Sequence, residues 1–342
     1  MRKAEYIFSD KKVECIFDGA FIDIEAYSKK EKIILITDEQ VYDSHKDKFK
    51  GFAVIKIKGG EENKTQHTID HIVEKLLSLE ADKSSLLIGV GGGVITDITG
   101  YVASIFKRGT RLGLVPTTIL SMVDAAIGGK NGVDVGVYKN MVGTVYQPEF
   151  ILYDYSFLDT LPVKEWINGF AEIIKHACIK DLLLFSMLEK YTLHQIQADR
   201  TLIADLIEQN ANIKMDIVTK DEYEKADRKL LNFGHTVGHA IENLHKLPHG
   251  HAVSIGMVAA CNLSEKMNGL HFKDAQRVVK LLAHYHLPVD IETDYEKVFN
   301  VLKMDKKRED NNMHFVLLNK IGEAEAKKVP MQYLHETLKA IL

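Results

Sequence analysis

Leu86-Leu87-Ile88-Gly89-Val90-Gly91-Gly92-Gly93-Val94-Ile95-Thr96-Asp97 is the stretch on which the fold turns. A short apolar run meets a glycine cluster, and a helix-like segment follows. Such a run, bounded by turn residues, reads as a buried strand. Glycines there let the backbone approach a pyrophosphate, and the N-terminus of the next helix favours its negative charge. The match to GxGxxG is imperfect, because Val94 stands in the third glycine's place. A plain strand-to-helix turn would carry the same glycines. Working outward, Ile33-Ile34-Leu35-Ile36 ends at Thr37-Asp38, Leu112-Gly113-Leu114-Val115 stops at Pro116, and Phe150-Ile151-Leu152-Tyr153 is a fourth run. Continuous apolar strands separated by polar helical segments predict a parallel sheet covered on both faces. Asp38, at a strand end, could hold an adenosine ribose hydroxyl or cap a helix.

After Leu161-Pro162 the pattern changes. Residues Trp166 to Lys180, Leu202 to Lys220 and Ala252 to Met267 carry apolar side chains at helical spacing, and only Phe315-Val316-Leu317-Leu318 still reads as a strand. The expectation is an α/β domain over residues 1–160 followed by a mostly helical domain over 161–342. Between Gly128 and Tyr146 the chain is rich in Gly, Lys and Asn and reads as a long irregular loop, of the kind that often carries function.

The 342 residues suffice for two domains, and 46% apolar with 27% charged residues is the balance of a globular protein in water. A net charge of −4 carries no nucleic-acid footprint. Cys15, Cys178 and Cys261 are far apart and form no CxxC, which suits a reducing compartment. The N-terminus lacks the apolar core of a secretion signal. The apolar stretch from Ser84 to Phe106 is broken by Asp97 and five glycines, against a membrane span. The expected location is the cytoplasm.

Metal-binding residue types cluster in the second half. His235-Thr236-Val237-Gly238-His239 sets two imidazoles one helical turn apart, His249-Gly250-His251 follows, and Glu172 shares a helical face with Lys175 and His176. One carboxylate with two imidazoles makes a catalytic zinc-type donor set, but spacing does not choose among these histidines. Lys107-Arg108-Gly109-Thr110-Arg111, Gly129-Lys130, Lys139-Asn140, Arg228 and Asp305-Lys306-Lys307 are candidate anion binders, although each cluster alone suits a solvated face equally.

In order along the chain, these stretches resemble the 3-dehydroquinate synthase family from about Asp38 to Gly322. The resemblance is carried by Gly91–Asp97, Arg108–Arg111, Val115–Thr118, Met122–Lys130, Lys139-Asn140, Ala171–Lys175, Arg228–Glu242, His249-Gly250 and Asp305–Lys307. It implies a Rossmann-like NAD-binding domain, a helical metal-binding domain and a homodimer. The implied metal ligands, for Zn or Co, are Glu172, His235 and His249, with His239 beside the substrate. Implied NAD contacts are Asp38, Glu61, Lys64, Gly92, Gly93, Val94, Asp97, Thr117, Thr118, Lys130, Lys139 and the segment Leu158, Asp159 and Thr160. Implied catalytic and substrate residues are Asp124, Lys130, Asn140, Lys175, Lys214, Arg228, Asn232, His239 and Lys306, with Arg108 reaching a neighbouring subunit's phosphate site. The implied reaction turns 3-deoxy-D-arabino-heptulosonate 7-phosphate into 3-dehydroquinate and phosphate. Related sugar phosphate cyclases and metal-dependent polyol dehydrogenases are the alternatives. Three positions depart from the family pattern: Thr96 replaces a glycine, Asn131 a threonine, and His251 an acidic residue.

Overall fold

The structure, a computed structural model, describes residues 1–342 apart from Asp10, Val137, 304–307, Asp310 and 340–342. The chain packs as two compact units, Met1–Glu165 with Ala204–Glu222, and Trp166–Ile203 with Tyr223–Leu342.

The first unit is Rossmann-like. Its strands are β1 (Arg2–Ile7), β2 (Lys12–Phe17), β3 (Ile33–Asp38), β4 (Ala53–Ile57), β5 (Leu86–Gly91), β6 (Arg111–Pro116), the hairpin β7 (Lys130–Val135) and β8 (Tyr138–Val145), and β9 (Phe150–Tyr153). Seven of them form one sheet in the order β1-β2-β9-β6-β5-β3-β4. Only the β1–β2 pairing is antiparallel; the others are parallel, with Leu35 opposite Ile88 and Ile88 opposite Gly113. The four runs legible in the sequence are β3, β5, β6 and β9. They are apolar because successive residues, which point to opposite faces, are buried alike, so no alternation is required. Ile33, Leu35, Ile88, Val115 and Leu152 pack with Phe21, Phe49 and Phe157 in the core beneath.

The strand order reverses between β3 and β5. From β3 the chain steps outward to β4, then returns to β5 on the other side of β3 and continues to β6. Crossover connections leave in opposite directions there, which opens a crevice at the carboxyl ends of the two strands. Asp38 and Gly91 occupy those ends.

The segment from Gly128 to Tyr146 is not an irregular loop. Most of it is the β7–β8 hairpin, with Gly132 facing Gly143. Val133 faces Val142 as a β-branched cross-strand pair, and the facing glycines allow close backbone approach.

Ala204–Glu222, most of the helix Arg200–Lys220, belongs to the first unit. Tyr6 Oη donates to Asn212 Oδ1 at 2.5 Å, Arg2 pairs with Glu208 at 2.7 Å, and Gln147 Nε2 donates to Glu222 Oε1 at 2.9 Å.

The second unit is mostly helical. Helices His235–His245 and His249–Asn268 lie against each other so closely that a Cβ on Gly238 would come 3.0 Å from Val253 Cα. Their apolar faces, with Val237, Ile241, Ile255 and Leu263, meet Phe299, Phe315, Leu317 and Leu334. A small antiparallel sheet of β10 (Arg308–Glu309), β11 (Asn312–Lys320) and β12 (Glu323–Pro330) completes the core, and Phe315–Leu318 lies within β11. No helix among the described residues is long and apolar enough to cross a membrane. All three cysteines are buried free thiols.

Candidate nucleotide and metal sites

In the first unit the glycine cluster leads directly into the helix Gly93–Ile105. Its N-cap is Gly92, which makes no side-chain capping bond, and its first turn carries no acidic residue. The N–H groups of that turn are therefore left to a ligand or to water. Side chains crowd the same turn: a Cβ on Gly93 would come 3.1 Å from Ala125 Cβ, and one on Gly92 3.3 Å from Thr118 Cγ2. Thr96, one of the departures, turns away into its own helix and donates to the Gly93 carbonyl at 2.9 Å. Thr117 N donates to the Gly91 carbonyl at 3.0 Å, while the buried Thr117 Oγ1 has no partner. These features fit a pyrophosphate.

Asp38 does cap a helix: Oδ1 accepts from Val41 N at 2.8 Å, and burial raises its carboxyl pKa against those backbone bonds. Thr160 Oγ1 lies 2.7 Å from His45 Nε2, close to that helix's end, with Leu158 buried and Asp159 exposed beside it. Glu61, Lys64, Asp97, Lys139 and Asn140 form one polar cluster. Lys64 is 4% exposed, and its Nζ lies 2.5 Å from Asp97 Oδ2 and 2.6 Å from Asn140 Oδ1. Burial alone would lower its pKa, but Asp97 and Glu61 more than reverse this, so the ammonium is retained. Lys139 approaches Glu61 at 3.6 Å. Asn140, at φ 52°, is locked by Asp134 Oδ1, which accepts its N–H at 2.7 Å.

A second polar group lies in the same unit. Lys214 Nζ donates to the Asp124 carbonyl at 2.6 Å and pairs with its Oδ1 at 2.9 Å. Lys130 is exposed at the start of β7. Beside it Asn131, another departure, donates to the carbonyls of Gly129 at 2.7 Å and Tyr146 at 3.0 Å, pinning the loop. Arg108 is exposed and left-handed, at φ 63° between Lys107 and Gly109, which are also left-handed. Arg111 is not available to an anion: it forms a two-point pair with Glu149, at 3.0 and 2.7 Å, and donates to the Tyr27 carbonyl.

In the second unit Glu172 is fully buried. Its Oε1 lies 3.2 Å from His249 Nε2 and 3.5 Å from His235 Nε2, and Lys175 pairs with Oε2. Glu172, His235 and His249 offer three ligand atoms all within 4.8 Å of one another. Two backbone devices bring them together. Gly234, at φ 78°, turns the chain into the helix that begins at His235, and a Cβ there would come 2.8 Å from the Val253 carbonyl. Gly250 N donates at 2.6 Å to Asn168 Oδ1, which ties the turn carrying His249 to the helix carrying Glu172. One carboxylate and two imidazoles suit zinc and cobalt alike.

His239 sits edge-on to His235, its ring centroid 5.2 Å from that of His235 and 6.3 Å from that of His249. His176 is buried on the Glu172 helix. His251 belongs to none of the ligand groupings among the described residues. Arg228 is buried on the turn Asp227–Asn232, and Asn232 Nδ2 donates to Glu224 Oε1 at 2.5 Å. Lys306 lies outside the described residues. Sequence reasoning passed over Glu242, whose Oε2 is 3.5 Å from His249 Nδ1. The signal was there: Glu242 follows His235 by seven residues, on the same helical face.

Two family models match adjoining stretches of the chain, 3-dehydroquinate synthase N-terminal over residues 54–168 and 3-dehydroquinate synthase C-terminal over 169–308. A 3-dehydroquinate synthase of Pyrococcus abyssi is 42% identical over 286 residues, covering 83% of this chain and 84% of that one. The chain belongs to the 3-dehydroquinate synthase family. A second 3-dehydroquinate synthase, from Campylobacter curvus, is 39% identical over 89% of this chain and 90% of its own. Among solved structures, 2-deoxy-scyllo-inosose synthase with carbaglucose-6-phosphate, NAD+ and Co2+ is 25% identical with a TM-score of 0.87, each chain fully covered. A 2-epi-5-epi-valiolone synthase from Streptomyces hygroscopicus, with NAD+ and Zn2+ bound, is 26% identical with a TM-score of 0.88, covering 100% of this chain and 99% of that one. A glycerol dehydrogenase from Schizosaccharomyces pombe, at 16% identity and a TM-score of 0.67, shares the fold alone. These two 3-dehydroquinate synthases exceed those two cyclases in identity by more than ten percentage points.

The metal-free site has a proton to lose. Burial would lower the His249 pKa, but hydrogen bonds to Glu172 and Glu242 raise it to about 10. The raised value stabilises the metal-free fold fully below the ordinary histidine pKa, and the gain is lost as pH climbs through about 10. Metal binding requires the neutral imidazole. With His249 as a ligand, Zn2+ or Co2+ binding is therefore expected to release about one proton from it at about pH 7–8.5. Calorimetry in buffers of different ionisation enthalpy reads this release, and binding without it would contradict the assignment.

Proposed function

We propose that the chain converts 3-deoxy-D-arabino-heptulosonate 7-phosphate to 3-dehydroquinate and phosphate, a step of aromatic amino acid biosynthesis, with catalytic NAD and a divalent Zn or Co ion. The observation that carries this reading is the convergence of Glu172, His235 and His249 within 4.8 Å, in a chain about 40% identical to 3-dehydroquinate synthases. When bound, NAD supplies a hydride acceptor that later gives the hydride back, and the metal ion acidifies the reacting hydroxyl.

The chain's own residues hold and orient. Glu172, His235 and His249 take the ion, with Lys175 balancing Glu172. The uncapped turn at Gly92 and Gly93 receives the pyrophosphate, and Val94 and Asp97 lie along the same helix. Asp38, Glu61, Lys64, Thr117, Thr118, Lys139 and the Leu158–Thr160 segment border the nucleotide. Asp124, Lys130, Asn140, Lys214, Arg228, Asn232, His239 and Lys306 hold the substrate's phosphate, carboxylate and hydroxyls. Holding one charged substrate through successive steps demands many fixed cations and amides, and such positioning supplies much of the rate. The substrate phosphate acts as its own base in the elimination, so no side chain is assigned to that proton. The enzyme is a cytoplasmic homodimer, in which the exposed Arg108 reaches the partner's phosphate site.

The test is phosphate release from the heptulosonate phosphate by the holoenzyme, with NADH absorbance followed alongside. Phosphate should appear in step with dehydroquinate and without net NADH. Net NADH would favour a polyol dehydrogenase, and turnover of sedoheptulose 7-phosphate instead would favour another cyclase.

A further inference from the structure

His249 offers its two ring nitrogens to two different carboxylates. Nε2 is 3.2 Å from Glu172 Oε1, and Nδ1 is 3.5 Å from Glu242 Oε2. Glu242 is 6% exposed, on the helix that begins with His235. His235 is arranged in the same way: Nε2 is 3.5 Å from the same Glu172 oxygen, and Nδ1 is 3.1 Å from the Phe233 carbonyl. Both imidazoles thus turn Nε2 toward Glu172 Oε1, and each has an oxygen acceptor behind Nδ1. An imidazole that donates from Nδ1 has its tautomer fixed, with the Nε2 lone pair directed at a ligand. A carboxylate acceptor also makes that nitrogen a stronger base.

We propose that Glu242 is a positioning residue of the metal site: it accepts the Nδ1–H of His249, selects the tautomer in which Nε2 ligates, and does not ligate itself. This rests on the reading of Glu172, His235 and His249 as the metal ligands. A competing arrangement exists, because donor atoms of His239, Glu242 and His249 also lie within 4.8 Å of one another. In that arrangement Glu242 would be a ligand. The geometry favours the first, since His235 is nearer to His249 than His239 is, 5.3 against 6.3 Å between centroids. The fully buried Glu172 is also the carboxylate that both Nε2 atoms face.

The experiment titrates Co2+ into metal-free full-length protein, with chelator competition for affinity and the visible Co2+ absorption for the ligand set. Glu242→Ala should still bind one Co2+ per chain at saturation, with unshifted bands, and about 10–100-fold more weakly. Glu242→Gln keeps an oxygen acceptor and should weaken binding less than Glu242→Ala. Loss of stoichiometric Co2+ at saturation in folded Glu242→Ala, or shifted bands, would make Glu242 a ligand and overturn the proposal. Affinity within threefold of the parent protein would overturn it too, by making the contact incidental. Circular dichroism checks folding. If Glu242→Ala does not fold, Glu242→Gln decides, with a drop of more than threefold expected and unchanged affinity against. Glu172→Ala is the control: retention of Co2+ there would sink the metal-site reading itself, which is a separate failure.

Discussion

His235→Ala is expected to abolish metal retention and turnover together. In the proposed site the imidazole is one of three donors, and its removal would leave a carboxylate and a single nitrogen, too few for a tightly held zinc-type ion. Its Nε2 approaches Glu172 Oε1 at 3.5 Å while the Phe233 carbonyl holds Nδ1 at 3.1 Å, so the ring is already aimed before any ion arrives. The loss should exceed about 1000-fold in kcat/KM, since a Lewis acid of this kind is worth several kcal/mol. Metal analysis after gel filtration should find well under one ion per chain, with helical content preserved. A folded variant that kept stoichiometric metal would show that His235 is not a ligand.

Lys64→Ala is the second large effect, and it acts on stability as well as on the cofactor. Lys64 is nearly inaccessible, and it is paired with Asp97 at 2.5 Å and with the Asn140 amide oxygen at 2.6 Å. Removing one partner of a buried pair leaves the other charge poorly solvated, at a cost of about 3 kcal/mol or more. The apparent Tm should fall by roughly 5–10 °C. NAD binding should weaken as well, because the pair ties the segment after β4 to the helix that starts at Gly93. The double variant Lys64→Ala, Asp97→Ala should recover at least half of the lost stability, since it removes the stranded carboxylate. If Lys64→Ala cost less than about 1 kcal/mol, or the double variant were additive, the pair would not be the stabilising element described.

The central strands were legible because full burial leaves a simple mark: β3, β5, β6 and β9 are unbroken apolar runs. The strands that escaped are those with one wet side. In β1 the sequence Arg2-Lys3-Ala4-Glu5-Tyr6-Ile7 is mostly exposed, and in β12 Glu323-Ala324-Glu325-Ala326 alternates acid with small residue, so neither resembles a core strand. The β7–β8 hairpin was hidden by its glycines and lysines, although Val133 faces Val142 across it. For the site, the residue types were visible and their grouping was not. Spacing allowed His235 with His239 or Glu172 with His176. What joins Glu172, His235 and His249 is a bond from the Gly250 amide to Asn168, 82 residues earlier, and the left-handed turn at Gly234. Contacts so distant along the chain leave no periodicity to read.

The return of Ala204–Glu222 to the first unit has a consequence for the order of synthesis. A nascent chain that has emerged only to Glu165 holds β1 to β9 but lacks Asn212, Lys214 and Glu222, which contact Tyr6, Asp124 and Gln147. Its sheet can form early on the ribosome, yet its packing can be completed only after the first segment of the other unit, Trp166–Ile203, has also been made. The two units are thus interleaved in time as well as in sequence, and a gene cut between residues 165 and 166 would encode a first unit lacking a helix rather than a separable module.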